Sequence, residues 1–288
     1  MSRALAVADA AAVAPQVRPP SRRHAVNDLD LHNWKQYDEI LTDSLWIFPE
    51  RDSSGAHKAD YHGNFVPQIP RQVMMRYTKK GDAILDPFAG SGTTLIEAQR
   101  LGRHALGVEL QPAVAELARS RVGQEPNVDR ATIKVINEDC RSARTRIWAL
   151  NFLKDLGRTH FQAAILHPPY HDIIKFSDNP DDLSNAGTVD QFLTMFDEVL
   201  DLTVSLLEPG RYLTLVIGDK YDGGEWIPLG FYTMQRAAAK GMTIKSVIVK
   251  NMAGSRAKRN VENLWRYRAL YGGFYVFRHE YVIVLKKN

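Results

Sequence analysis

The chain has 288 residues, 44% of them hydrophobic and 24% charged, with 37 Lys and Arg against 33 Asp and Glu and a single cysteine, Cys140. This composition excludes a fibrous or wholly disordered protein, and no apolar run approaches the ~18 residues of a membrane-spanning helix, so no membrane partner is expected. One cysteine excludes an intramolecular disulfide and a Cys-built metal centre and points to a reducing, cytoplasmic setting, while the net charge of +4 is compatible with nucleic acid without demonstrating it.

Residues 1–26 are rich in alanine, proline and arginine and read as a flexible tail, with a transit peptide as the alternative. Residues 27–60 carry Trp34, Tyr37, Trp46 and Phe48 and are expected to pack as an N-terminal extension on the core, leaving 61–288 as the main domain. From Asp82 onward strand and helix signals alternate. Asp82–Asp86 is a short apolar run ending in an acid, and Thr93–Leu101 reads as a helix closed by Gly102. His104–Glu109 reads as a strand, and Gln111–Val122 as a helix with Pro112 in its first turn. Thr132–Ile136 and Phe161–Leu166 read as strands, and Val189–Leu207 as a long helix stopped by Pro209-Gly210. Arg211–Ile217 is a strand and Ile227–Lys240 a helix. Thr243–Val249 and Phe274–Leu285 form a closing, antiparallel pair. Such alternation predicts an α/β, doubly wound, mostly parallel sheet with helices on both faces.

Asp86-Pro-Phe-Ala-Gly-Ser-Gly-Thr-Thr94 is the most informative stretch. It lies where an open α/β sheet places its ligand, past the carboxyl end of a strand. Gly90 and Gly92 let the chain turn sharply beneath a ligand. The Lys of a phosphate loop and the third glycine of a dinucleotide fingerprint are both missing, which disfavours a nucleotide phosphate and an oxidoreductase. Glu109, ending the second strand, can accept from ribose hydroxyls. Asp139, after the third, can accept from an adenine amino group. A nucleoside without a phosphate clamp is implied. After the fourth strand, His167-Pro-Pro-Tyr170 places stiff backbone carbonyls beside an aromatic face, which suits a planar, amino-bearing base. A simple strand-ending Pro-Pro turn is the alternative.

Together these two stretches resemble the amino-methyltransferase family of S-adenosylmethionine-dependent DNA methyltransferases, which modify adenine N6 or cytosine N4. The resemblance covers about residues 61–250 and includes Tyr61–Pro70, similar to the family's segment beside the cofactor methionine. It implies a class I, Rossmann-like methyltransferase fold and S-adenosylmethionine as cofactor. It places Phe65, Pro67, Asp86, Pro87, Phe88, Gly90, Gly92, Thr93, Thr94, Glu109, Leu110, Asp139 and Cys140 around that cofactor, and His167, Pro168, Pro169 and Tyr170 around a flipped target base. The family has Asp, Asn or Ser where this chain has His167. A neutral imidazole accepts only in the right tautomer, and the missing aspartate tilts the reading toward cytosine N4.

The partner implied is double-stranded DNA, with no metal. A homodimer and a cognate restriction endonuclease are both compatible with the resemblance, as is a bacterial or phage-type setting. Lys250, Arg256, Lys258, Arg259, Arg266 and Arg268, interleaved with Trp265, Tyr267 and Tyr271, make residues 250–273 the expected DNA-contacting loop. Residues 171–187 form a second, lid-like loop beside the site. An amino-methyltransferase acting on tRNA or rRNA and a catalytically silent nucleic-acid-binding protein are the competing readings.

Overall fold

Strands covered on both faces by crossover helices read as near-continuous apolar runs, as Asp82–Asp86, His104–Glu109 and Phe161–Leu166 do. The computed structural model describes residues 25–252 and 262–288. In it β2 (Ala83–Asp86), β3 (His104–Glu109), β4 (Ile133–Asn137) and β5 (Phe161–Leu166) pair parallel in the order β4, β3, β2, β5. β6 (Leu207–Ile217) extends this parallel set beside β5. β10 (His279–Lys287) pairs antiparallel with both β6 and β9 (Met242–Asn251). A two-residue β1 (Leu45–Trp46) adds the eighth strand, parallel to β9. β7 (Lys220–Asp222) and β8 (Glu225–Ile227) form a separate hairpin.

Helices cover both faces: α1 (Gln68–Tyr77), α2 (Thr93–Arg100), α3 (Pro112–Gln124), α4 (Ala143–Asp155), α5 (Val189–Leu206) and α6 (Leu229–Ala239). On one side Phe192, Phe196, Val199 and Leu200 of α5 bury a helical stripe against Leu166, Leu213 and Leu215 of the sheet. On the other, Ile69, Val73 and Met74 of α1 and Leu95 of α2 pack on Ile84, Ala105 and Ile165. The fold is the doubly wound, mostly parallel α/β arrangement expected, with helices on both faces and a closing antiparallel pair.

Five local expectations differ. α1 and α4 carry no clear helical signal in the sequence. The chain enters β6 at Leu207 directly after α5, with Gly210 in a left-handed conformation inside the strand, so Pro209-Gly210 does not separate the two elements. Residues 274–278 precede β10 without belonging to it, and Glu262–Gly272 forms a helix, α7, within the stretch expected to be a loop. Among the described residues, no helix is long and apolar enough to cross a membrane.

The order of strands reverses at β2, whose neighbours β3 and β5 lie on opposite sides. In open α/β sheets the crevice beyond the carboxyl ends at such a switch is the ligand site. β10 runs the other way, so its first residues, His279 and Glu280, reach this same edge.

Candidate active site

β2 delivers Asp86 to the crevice, and the chain turns at once. Asp86 Oδ1 accepts from the Phe88 N–H at 2.9 Å, and Gly92 N donates to the Ala89 carbonyl at 2.8 Å. Gly90 (φ +49°) and Gly92 (φ +93°) hold left-handed conformations that side chains resist, and Gly92 is the N-cap of α2. Pro87, Thr93 and Thr94 are buried beneath the turn, with Phe88 half-buried. Burial pushes the Asp86 carboxyl up to about 6, against the lowering effect of the Phe88 N–H.

Glu109 arrives from β3. Its Oε2 accepts from Gly90 N at 3.0 Å and its Oε1 from Gln111 N at 2.9 Å. Burial pushes this carboxyl up to about 7, the two N–H donors holding it back only in part. Asn137, ending β4, pins the same corner by donating to the carbonyls of Glu109 and Leu110. Two buried acids beside a glycine turn, with no cation paired to either among the described residues, suit neutral hydroxyl or ammonium donors of a small ligand.

Asp139 is placed less openly. Arg141 Nη2 lies 2.9 Å from its Oδ2 and also reaches Asp181, while Nη1 of the same guanidinium reaches Glu198. An adenine amino group reaching Asp139 must share it with Arg141. Cys140 is buried, and burial raises its thiol.

His167 follows β5. Its ring meets Phe65 edge-to-face at 4.8 Å and Tyr170 at 5.6 Å. Phe65 and Pro67 are buried in the segment leading to α1, and Ser91 Oγ of the turn donates to Asn64 Oδ1 at 2.7 Å. The segment expected beside the cofactor and the His167–Tyr170 stretch therefore share a wall. Pro168 is buried and Pro169 half-buried. Tyr170 is half-buried rather than exposed, because its hydroxyl is drawn inward to Glu280 Oε2 at 2.7 Å. Two residues of this site lie beyond what sequence reasoning finds, Glu280 and Gly218, where an added Cβ would come within 2.8 Å of the Tyr170 ring; Tyr61, the first residue of the expected Tyr61–Pro70 segment, has its ring over Gly90.

The expected DNA-contacting cations divide. Lys250 is only 6% exposed and its Nζ sits 2.8 Å from Glu280 Oε1. It is not available to a phosphate, which corrects that expectation: the last residues of β9 are inside the sheet, and a buried ammonium there needs a carboxylate. Arg266 and Arg268 are exposed on α7, the latter over the Trp265 ring at 5.5 Å. Arg256, Lys258 and Arg259 lie outside the described residues. The 171–187 segment contains two short 3-10 turns. Asp182 caps the second by accepting from Ser184 N, and Phe176 stands where a Cβ on Gly63 would meet it at 2.9 Å, so this segment packs against the residues that precede α1. Among the described residues no group of three His, Cys, Asp or Glu is placed to hold a metal ion.

Residues 16–120 match the model of a DNA methylase family. The match takes in the segment expected to be an N-terminal extension as well as the glycine turn and Glu109, and it stops short of His167. The chain is 37% identical over 109 residues to the Type II methyltransferase M2.DpnII of Streptococcus pneumoniae, a match covering 36% of this chain and 38% of that one. It is 35% identical over 88 residues to the Type II methyltransferase M.Cfr9I of Citrobacter freundii, covering 30% and 28%. These matches span well under half the length of either relative. In three dimensions the chain is similar to precorrin-6y C5,15-methyltransferase of Geobacter metallireducens, with a TM-score of 0.50 at 13% identity over 82% of this chain and 96% of that one. That similarity bears on the fold alone. The resemblance to the DNA amino-methylases thus rests on aligned sequence as well as on two motifs.

Proposed function

We propose that this chain transfers a methyl group from S-adenosylmethionine to the exocyclic amino group of a base flipped out of double-stranded DNA, with cytosine N4 favoured over adenine N6. The observation that carries the reading is the Phe65–His167 contact at 4.8 Å, which joins the wall of the glycine turn to the His167–Tyr170 slot at one edge of the sheet. A methyl group passes only between sites that adjoin. The family match over the glycine turn and the Type II designation of both relatives support the choice of DNA, and a nuclease of the same system would be the natural partner.

Asp86 and the 90–92 turn would hold the amino-acid part of the cofactor, Glu109 the ribose hydroxyls and Asp139 the adenine. When bound, the cofactor supplies an activated methyl group on a sulfonium. The residues of the slot do the rest. An aromatic amine is a poor nucleophile because its lone pair is delocalised into the ring. Acceptors on both of its N–H groups favour a pyramidal nitrogen with the lone pair freed. The Pro168 carbonyl and His167 are the acceptors offered here. Tyr170 offers an aromatic face, and stacking of about 1–3 kcal/mol offsets part of the cost of flipping. Alignment of the two reacting atoms supplies several kcal/mol more. Cys140 takes no part. The exposed Arg266 and Arg268 on α7 would lie along the phosphates.

The double variant Pro168→Ala/Tyr170→Ala tests this assignment. It should bind S-adenosylmethionine with unchanged affinity by calorimetry and lose methyl transfer to DNA; full activity would remove the slot from the mechanism.

A further inference from the structure

Behind the slot lies a chain of hydrogen bonds that fixes where one proton sits. Glu280 and Lys250 are partners across β10 and β9, each 6% exposed. Lys250 Nζ donates to Glu280 Oε1 at 2.8 Å, and its charge keeps the Glu280 carboxyl below the ordinary range even though burial opposes this. An ionised carboxylate only accepts. Tyr170 Oη, 2.7 Å from Glu280 Oε2, therefore donates its one proton there. With that proton committed, Tyr170 Oη meets His167 Nε2, 3.2 Å away, as an acceptor. Nε2 must carry a hydrogen. Burial pushes His167 down to about 4, with Lys250 acting in the same direction and Glu280 against it, so the ring is neutral and its other nitrogen bears a lone pair. Nδ1 makes no hydrogen bond among the described residues, and His167 is half-buried.

We infer that Glu280, acting through Tyr170, locks His167 in its Nε2–H tautomer and so presents Nδ1 as the acceptor for one N–H of the target amino group. The inference rests on the function proposed above. It gives this chain's histidine the acceptor that an aspartate, asparagine or serine would otherwise supply. Glu280 is a positioning residue: it acts on the proton of His167 and touches neither substrate nor cofactor.

The near-isosteric variant Glu280→Gln reverses the relay. Lys250 only donates, so the amide oxygen must face it and the amide NH2 must face Tyr170. Tyr170 then turns its proton toward His167 Nε2, and His167 is driven to the Nδ1–H form, which presents a donor to a donor.

Two readouts are needed. In 15N-labelled, cofactor-free protein at neutral pH, long-range 1H–15N correlation should show His167 with Nε2 protonated and Nδ1 bare in the wild type. The two should be exchanged in Glu280→Gln, and Tyr170→Phe should give the intermediate shifts of a mixed population. Methyl transfer should fall roughly 10- to 100-fold in kcat for Glu280→Gln, and less for Tyr170→Phe, with cofactor affinity unchanged. In a His167→Asn background, whatever its own rate, Glu280→Gln should have at most a twofold further effect, because an amide carbonyl needs no tautomer. A wild-type His167 that is Nδ1–H or doubly protonated overturns the relay without reference to activity. A tautomer that switches while kcat stays within twofold overturns the acceptor role. Should Glu280→Gln fail to fold, Tyr170→Phe carries the same decision. Failure of the wild type to methylate DNA would instead count against the proposed function, leaving the spectrum to judge the relay.

Discussion

Glu109 reaches back across the crevice to accept from the Gly90 N–H at 3.0 Å, so the acid ending β3 and the glycine turn after β2 hold each other in place. The same carboxyl, pushed up to about 7 by burial, is half protonated at neutral pH. The ribose hydroxyls proposed for it would need it ionised. Affinity for S-adenosylmethionine should therefore rise with pH from 6 to 8, falling by up to about tenfold for each unit below 7. Calorimetry at a series of pH values reads this, and Glu109→Gln should flatten the profile. The stability of the cofactor-free protein moves the other way. A folded-state value above the ordinary 4.5 contributes stability that is present below about 4.5 and lost as pH rises through 7. Glu109→Gln should thus be more stable than wild type at pH 8, by up to about 3 kcal/mol, and no more stable at pH 4.

Gly218 follows β6 directly beneath the Tyr170 ring. A Cβ there would stand 2.8 Å from Tyr170 Cε2, and the hydrogen bond to Glu280 keeps the ring from withdrawing. Gly218→Ala should cost about 1–3 kcal/mol in denaturant unfolding through overpacking. It should also lower kcat while leaving cofactor affinity unchanged. A loss of cofactor binding in step with kcat would show that Gly218 supports the whole crevice and not the slot.

Lys250 and the arginines of α7 should separate under salt. Arg266→Ala and Arg268→Ala should each flatten the dependence of log DNA affinity on log salt by about 0.9 for every phosphate the arginine neutralises. Lys250→Met should leave that slope alone and instead destabilise the fold by about 3–5 kcal/mol, because Glu280 is left buried without its cation. Salt titrations of DNA binding beside urea unfolding distinguish the two.

The strands that build the crevice are legible in the sequence for a physical reason. β2, β3 and β5 are buried along nearly their whole length, so they read as short apolar runs bounded by Gly, Pro and acids. Asp86 and Glu109 then fall at strand carboxyl ends without further assumption. α4 is not legible because Ile147, Trp148 and Leu150 are exposed beside buried Ala149, Phe152 and Leu153. Its apolar residues run round the helix instead of forming one stripe. α7 reads as a loop because its arginines and tyrosines face solvent on most sides and nothing in its pattern marks an inner face. Glu280 gives no signal because an acid beside an apolar strand is ordinarily solvated. Only the register of β9 against β10, set by pairing over a long separation in the chain, puts Lys250 opposite it. The same fact turns Lys250 from a surface cation into an interior one.

The central claim is that the glycine turn and the His167–Tyr170 slot serve one transfer to an exocyclic amine in DNA. Incubating the protein with methyl-labelled S-adenosylmethionine and double-stranded DNA, then digesting to nucleosides for mass spectrometry, tests it most directly. The account predicts label on N4-methylcytosine, with N6-methyladenine the only alternative product it accommodates, and none in parallel incubations with tRNA or rRNA. Label confined to RNA, label on carbon 5 of cytosine, or no transfer by protein that binds the cofactor would contradict it.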